Sequence, residues 1–358
     1  MTPKFNIDLS FTSQSPMAHH GELTELPTAV LKTKRTLFHM EGDEVVMSVD
    51  NSSLESFLFC NRLAQYKLVN NRSSLPTAAL TFGGIIHTGL EVYYKLKDTG
   101  LSRETLEDQC FSAMAITALE YPAVDPTDYR SLAFAQTVLG RYIDKYSKET
   151  DFAPLEIDGE KMIEYSFKSN LGHVNIDLSN TEFLAELNLP PEIKDLTSTN
   201  VKLVWSGIID MLVKETDGGV WLVDHKTTSM FGGDFFAQFE QSQQVIGYAR
   251  AAQHIPNFRG FIVNALVCRK DTKTGKGTEF HRSRFTYDQE KIDEWETDVM
   301  AIVGEFLFNL QTSYFPKKTS WCLGKYGKCQ FFDVCTSPIN LREMVLHSNN
   351  YTDNVWKV

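Results

Sequence analysis

Residues 206–228, SGIIDMLVKETDGGVWLVDHKTT, place two aspartates and a lysine where they can meet. Two apolar runs flank Glu215-Thr216-Asp217-Gly218-Gly219, a turn composition that predicts a hairpin. With the loop centred on Asp217, Asp210 lies opposite Asp224, and cross-strand partners share a face. Asp224 and Lys226 are two apart on one strand, so they share that face as well. Burying such charges is expensive unless they pair or hold a metal. Two chemistries follow. Lys226 can simply salt-bridge the two aspartates. Alternatively the carboxylates bind Mg²⁺ or Mn²⁺, which prefer oxygen ligands and keep water positions open, while Lys226 orients a water or stabilises charge growing on a phosphate.

A second group lies near the C-terminus, where CLGKYGKCQFFDVC puts Cys322, Cys329 and Cys335 within fourteen positions. The N-terminal MTPKFNIDLSFTSQSP is polar and broken by prolines, unlike a secretory leader, and no eighteen-residue apolar run follows. The expectation is a soluble intracellular, cytoplasmic protein with no membrane span. In a reducing compartment, clustered cysteines point to metal or catalysis before disulfides. Cys110 and Cys268, alone in apolar surroundings, read as inert thiols.

The elements that must position these groups are read from periodicity. Residues 1–35 form a polar arm, and 36–358 read as one domain. A strand pair turns at Glu41-Gly42-Asp43. Asn51, Ser52 and Ser53 are cap candidates for a helix that runs through Cys60. FGGIIHTGLEVYYKLKD is helical. A helical insertion covers about 101–149, broken near Pro122 and Pro126, with Arg141, Lys145 and Lys148 on one stripe. MIEYSFKSNL, VKLVWSGIIDMLVKE and GVWLVDHKTTS are strands, with an insertion at 181–200. A helix over FEQSQQVIGYARAAQH, a strand over GFIVNALVCRK and a long helix from Phe285 complete the order. Helices around a strand group imply a mixed α/β (α+β) fold with a central mixed sheet. With 42% apolar residues, a sizeable core is affordable. The net charge of −11 excludes a surface that coats nucleic acid throughout, though not a local basic groove. There is no G-x4-G-K-[ST], so the chain carries no P-loop motor.

Asp210…Asp224-His225-Lys226 resembles the PD-(D/E)XK nuclease signature, in the form found in RecB-type exonucleases. GGIIHTGLE resembles that branch's glycine-then-histidine helix, with His87 as candidate metal ligand. Gln244 and Tyr248 in QVIGY resemble its Q-x3-Y helix. Cys60 with Cys322, Cys329 and Cys335 is similar to the subset carrying a [4Fe-4S] cluster, such as AddB-type and CRISPR-associated exonucleases. The likeness runs from about Ser53 to Cys335. Ile209 stands where the motif's proline would be, and the 181–200 insertion has no counterpart.

The resemblance implies a restriction-endonuclease-like core with an iron–sulfur-stapled helical region, and metal-dependent hydrolysis of phosphodiesters in DNA, at ends or single strands, in DNA processing or repair. His87, Asp210, Asp224 and the His225 carbonyl would hold Mg²⁺ or Mn²⁺, the histidine tilting the choice toward Mn²⁺. Lys226 would position water, Gln244 would orient Lys226 or a phosphate, and Tyr248 would pack beneath. Glu91, one turn after His87, joins the metal or salt-bridges. Arg62, Lys67, Arg72, Arg141, Lys145 and Lys148 are candidates for a basic channel. Phe82, Tyr93 and Tyr94 could stack on bases, though most read as core. The cysteine spacings are wider than zinc knuckles, which favours the cluster over zinc. Rival readings are a catalytically silent DNA-binding or assembly subunit and an iron–sulfur redox protein. Without a motor, the chain would work beside a helicase or recombinase.

Overall fold

The computed structural model describes residues 32–34, 37–121, 127–187, 189, 199–273, 275, 277–324 and 327–357. Most of the expected arm lies outside them. Lys32–Lys34 is the exception: it pairs antiparallel with Val355–Lys357, so the two ends of the described chain meet.

The strand pair forms as expected, with β1 (Phe38–Glu41) and β2 (Glu44–Val49) joined at Gly42, whose φ of +60° suits a residue without Cβ. The helix that follows, α1 (Asn51–Phe59), is capped by Asp50 rather than by Asn51, Ser52 or Ser53. The Asp50 carboxylate accepts the Ser53 N–H at 2.8 Å and the Ser53 hydroxyl at 2.7 Å, a cap worth about 1 kcal/mol. Cys60 is not inside this helix. Its extended backbone (φ −167°, ψ 123°) ends α1 and starts α2 (Asn61–Ala64), which runs on as a π turn over Gln65–Val69. The break points the cysteine away from the α1 register.

β3 (Arg72–Ser74) leads to α3 (Ala78–Leu96), which begins one turn before its glycines under a Thr77 cap. The insertion holds α4 (Arg103–Leu119) and α5 (Leu132–Tyr146), separated near the two prolines. β4 (Ile163–Ile176), β5 (Thr199–Lys214) and β6 (Val220–Thr228) form the expected strand group. Of the proposed insertion at 181–200, residues 188 and 190–198 lie outside the described residues, and Thr199 and Asn200 already belong to β5. After α6 (Gln243–Ala252) and β7 (Phe258–Cys268) comes an unforeseen strand, β8 (Thr278–Phe285). The long helix α7 (Gln289–Gln311) therefore starts four residues later than Phe285, under an Asp288 cap.

β5 is the axis of the sheet. One edge pairs with β4 along almost its whole length. The other edge divides: Val201–Trp205 pair parallel with β2, and Met211–Lys214 pair antiparallel with β6. β6 continues parallel into β7, and β7 antiparallel into β8. The sheet is thus mixed and forks where β2 and β6 part, around Ser206–Asp210. Alternation along the strands feeds two cores. Leu212, Leu222, Phe261 and Val263 face α1, α6 and α7, whereas Met211, Val213, Val223 and Ile262 face α3, α4 and α5. The fold is a mixed α/β sandwich consistent with a restriction-endonuclease-like core. Its C-terminal segment packs separately, with Tyr66, Phe331, Val334, Leu346 and Tyr351 forming a small core beside β3, which pairs with Tyr351–Asp353.

Candidate active site

The carboxylates meet at the fork. The hairpin register is the expected one, with Val220 opposite Lys214 and Val223 opposite Met211. The ladder stops one pair short of Asp224 and Asp210. There the His225 N–H donates instead to Asp210 Oδ2 at 2.6 Å, so a side chain replaces a strand as the acceptor. That substitution holds the fork open without orphaning the peptide.

His87 reaches the same peptide from α3. Its Nε2 lies 2.7 Å from the His225 carbonyl, which can only accept, so Nε2 carries the proton. Its Nδ1 lies 3.4 Å from Asp210 Oδ1. Burial works to lower the His87 pKa, but Asp210 and then Asp224 outweigh it and raise it to about 9. Conversely, burial would raise Asp210, yet His87 and the His225 peptide hold it well below the usual carboxylate range.

Beside them, Lys226 Nζ sits 2.7 Å from Asp224 Oδ2 and donates to Gln244 Oε1 at 3.0 Å. Gln244 closes the triangle by donating Nε2–H to Asp224 Oδ1 at 3.3 Å. The ammonium is thus the partner of the buried Oδ2, and the amide that of Oδ1. Burial, aided by the nearby Asp210, pushes Asp224 above its ordinary range despite Lys226. Tyr248 lies buried beneath, its ring filling the space over Gly207, where any Cβ would come within 2.9 Å of it.

Sequence reasoning missed Glu164. It sits near the start of β4 with a left-handed φ of +53°, and its carboxylate, His87 and Asp210 offer donor atoms all within 4.8 Å of one another. Nothing in MIEYSF distinguishes it from a strand residue facing solvent. The donor set fits a divalent cation. Three carboxylates (Glu164, Asp210, Asp224) face the Lys226 ammonium, and loss of the His87 proton would leave the two negative charges that one such ion neutralises. Glu91 is engaged elsewhere, 2.6 Å from Lys95 one turn along α3.

The His225 side chain points to the other core. Its Nδ1 accepts from Asn264 Nδ2 at 2.8 Å, and its ring stacks on Tyr94 at 5.9 Å. Asn264 also donates to Tyr142 Oη, Tyr142 and Tyr94 share a hydroxyl contact of 2.7 Å, and Arg282 donates to Asn264, to both tyrosines and to Glu149. Burial drives His225 down to about 3, so the ring is neutral. Arg282 was invisible because β8 itself was unforeseen. Tyr93 and Tyr94, like Phe82, are core residues, buried to 3% exposure or less.

The basic candidates are scattered. Arg62 donates to the Phe315 carbonyl, Lys67 to Ser52 Oγ, and Arg72 to Asp353 and the Tyr351 carbonyl. Arg141 binds Asp271, and Lys145 donates to the Phe280 carbonyl at the β8 edge, beside an open pocket of about 450 Å³ whose lining includes none of the carboxylates named above. Lys148 is exposed past the end of α5. The cysteines do converge. Burial first, then Cys335, Cys60 and Cys322 as neighbours, hold the Cys329 thiol above its ordinary range, and Cys60 Sγ accepts the Lys318 N–H at 3.4 Å.

Two solved structures resemble the chain at a distance. A presumed exonuclease from Eubacterium rectale aligns with 84% of this chain and 93% of its own at 11% identity and a TM-score of 0.41. A protein described as SSO0001 aligns with 74% and 79% at 10% identity and a TM-score of 0.27. Neither is close enough to argue from, and no curated protein matches the chain. The family signature is another matter. The profile of the PD-(D/E)XK nuclease superfamily matches residues 49–336, a span holding strands β4 to β8, His87, both aspartates, Lys226 and Gln244, and the chain belongs to that superfamily.

Proposed function

We propose that the chain is a Mg²⁺- or Mn²⁺-dependent deoxyribonuclease that cuts phosphodiester bonds at DNA ends or in single strands. One observation carries this reading: His87, Glu164, Asp210 and the His225 carbonyl converge at the fork, with Lys226 locked between Asp224 and Gln244 beside them. A divalent cation held by His87, Glu164, Asp210, Asp224 and the His225 carbonyl would supply charge neutralisation at the scissile phosphate and acidify a water.

The side chains do the rest. Asp224 and its neighbours raise the Lys226 pKa against the effect of burial, so the ammonium stays charged and donates to the attacking water or to a phosphate oxygen. Gln244 fixes Lys226 by accepting one of its protons, leaving the others for substrate. Tyr248 supports this pair from below.

The same reading assigns the chain to the RecB/AddB-like branch, as one nuclease domain from residue 36 onward. Cys60, Cys322, Cys329 and Cys335 would hold a [4Fe-4S] cluster, with zinc as the alternative. Burial and the neighbouring cysteines hold the Cys329 and Cys335 thiols above their ordinary range, which supports a cation-binding set there. A cluster there would tie α1 to the C-terminal segment. The protein would act inside the cell beside a helicase or recombinase. The test is cleavage of end-labelled single strands, flaps and duplexes with Mn²⁺ or Mg²⁺. Wild type degrades at least one substrate and Asp224→Ala none; equal activity of the two, or no cleavage at all, rejects the proposal.

A further inference from the structure

α1 runs from the candidate active site to an exposed aromatic pair. Its cap Asp50 follows Val49, which pairs with Trp205 where the fork opens, and Glu55 lies further along the helix. Phe59 follows Glu55 by four residues, hence on the same face about 6 Å further along the axis. At that point Phe59 meets Trp321, with ring centroids 4.6 Å apart and planes inclined by 30°. Phe59 is 36% exposed and Trp321 49%, whereas Trp205, Trp221 and Trp295 are all buried. An indole stacked on one ring with much of its surface in water is poorly explained as core.

The segment that carries Trp321 has one sign of charge. From Phe306 to Phe332 the sequence has no carboxylate, but it has Lys317, Lys318, Lys325 and Lys328, in a chain whose net charge is −11. Lys317 and Lys328 are exposed, and Lys318 Nζ bonds the Leu58 carbonyl on α1 and lies 3.4 Å from Glu305. An open aromatic face on a lysine-rich segment suits bases and phosphates together, and bases offer their faces only when unpaired.

We propose that Phe59 and Trp321 form a stacking platform for the bases of single-stranded DNA, delivering the strand along α1 to Asp224 and Lys226. The delivery rests on the nuclease reading; the platform does not. It makes the preferred substrate a strand with a single-stranded end rather than an intact duplex.

Trp321 is its own probe. The whole chain, purified anaerobically and freed of divalent metal at the nuclease site, is titrated with oligo(dT) while tryptophan emission and probe anisotropy are followed. Wild type shows quenching that Trp321→Phe lacks. Trp321→Phe, which keeps a ring, binds within about twofold of wild type, and Trp321→Leu and Phe59→Leu bind about fivefold or more weakly, the equivalent of losing one stacked base. A blunt duplex of the same length gives no Trp321-dependent quenching. Equal quenching by the duplex, absence of quenching, or Leu variants binding like wild type would overturn the platform. A fold failure in one Leu variant leaves the other, and the Trp321→Phe comparison, as the test. Quenching without Mn²⁺-dependent cleavage supports the platform and rejects the nuclease proposal; cleavage without quenching does the reverse.

Discussion

Replacing Glu164 by Gln tests whether the third carboxylate belongs to the metal. The donor atoms of Glu164, His87 and Asp210 lie within 4.8 Å of one another, so a cation among them sits no farther than that from the carboxylate. A unit charge 4.8 Å from a divalent ion is worth about 2 kcal/mol in bulk water and about 7 kcal/mol at an effective dielectric of 20. Gln keeps a neutral oxygen donor and its site is partly exposed, so the lower figure applies. The expected result is a Mn²⁺ dissociation constant raised roughly 20-fold, measured by calorimetry or by electron paramagnetic resonance. The backbone supplies a second arm. A φ of +53° at a residue with Cβ costs on the order of 1–2 kcal/mol, which Gly avoids. Glu164→Gly should therefore bind Mn²⁺ as weakly as Glu164→Gln while its metal-free melting temperature is no lower than wild type. Unchanged affinity in both variants would refute the assignment. A large loss of metal-free stability in Glu164→Gly would show that the carboxylate serves packing instead.

Three other perturbations follow. Arg282→Met leaves Glu149 without its 2.6 Å partner and strips Asn264 of a donor, so chemical denaturation should show a loss of about 3–5 kcal/mol; a loss under 1 kcal/mol would mean that the network beneath His225 is slack. Gly207→Ala forces a Cβ to within 2.9 Å of the Tyr248 ring, and should cost about 1–3 kcal/mol and depress activity through the displaced Gln244 and Lys226; unaltered kinetics would remove Tyr248 from the supporting role. Cys60→Ser and Cys329→Ser should each lower the melting temperature and the iron content of anaerobically purified protein together, and wild-type stability after complete loss of bound metal would contradict the clasp.

Much of the acidic hairpin was legible because it is local. The turn at Asp217 fixes the register, the register puts Asp210 opposite Asp224, and period-two alternation puts Lys226 beside Asp224. Those are consequences of strand geometry over some twenty residues, and the structure keeps them. The exceptions are instructive. The ladder does not continue to the aspartates, because β2 takes one half of the β5 edge and β6 the other. No pattern within the hairpin encodes that division. Cys60 looked helical because NSSLESFLFCNRLAQYKLV is continuous in apolar period, yet its backbone is extended and the helix breaks there.

By itself, then, the sequence determined which residues could react and which short elements carry them, since turn chemistry and apolar period act between near neighbours. Only the tertiary structure decided which distant groups share their space. Glu164 is 46 residues from Asp210 and joins it through the left-handed turn of its backbone and the β4–β5 pairing. Arg282 reaches the underside of His225 from an edge strand that alternates too weakly to announce itself. The aromatic pair needs residues 59 and 321 brought together by the packing of the C-terminal segment against the end of α1. Burial and charge pairing among such partners belong to the assembled core, where the cost of an unpaired group is set by every neighbour at once.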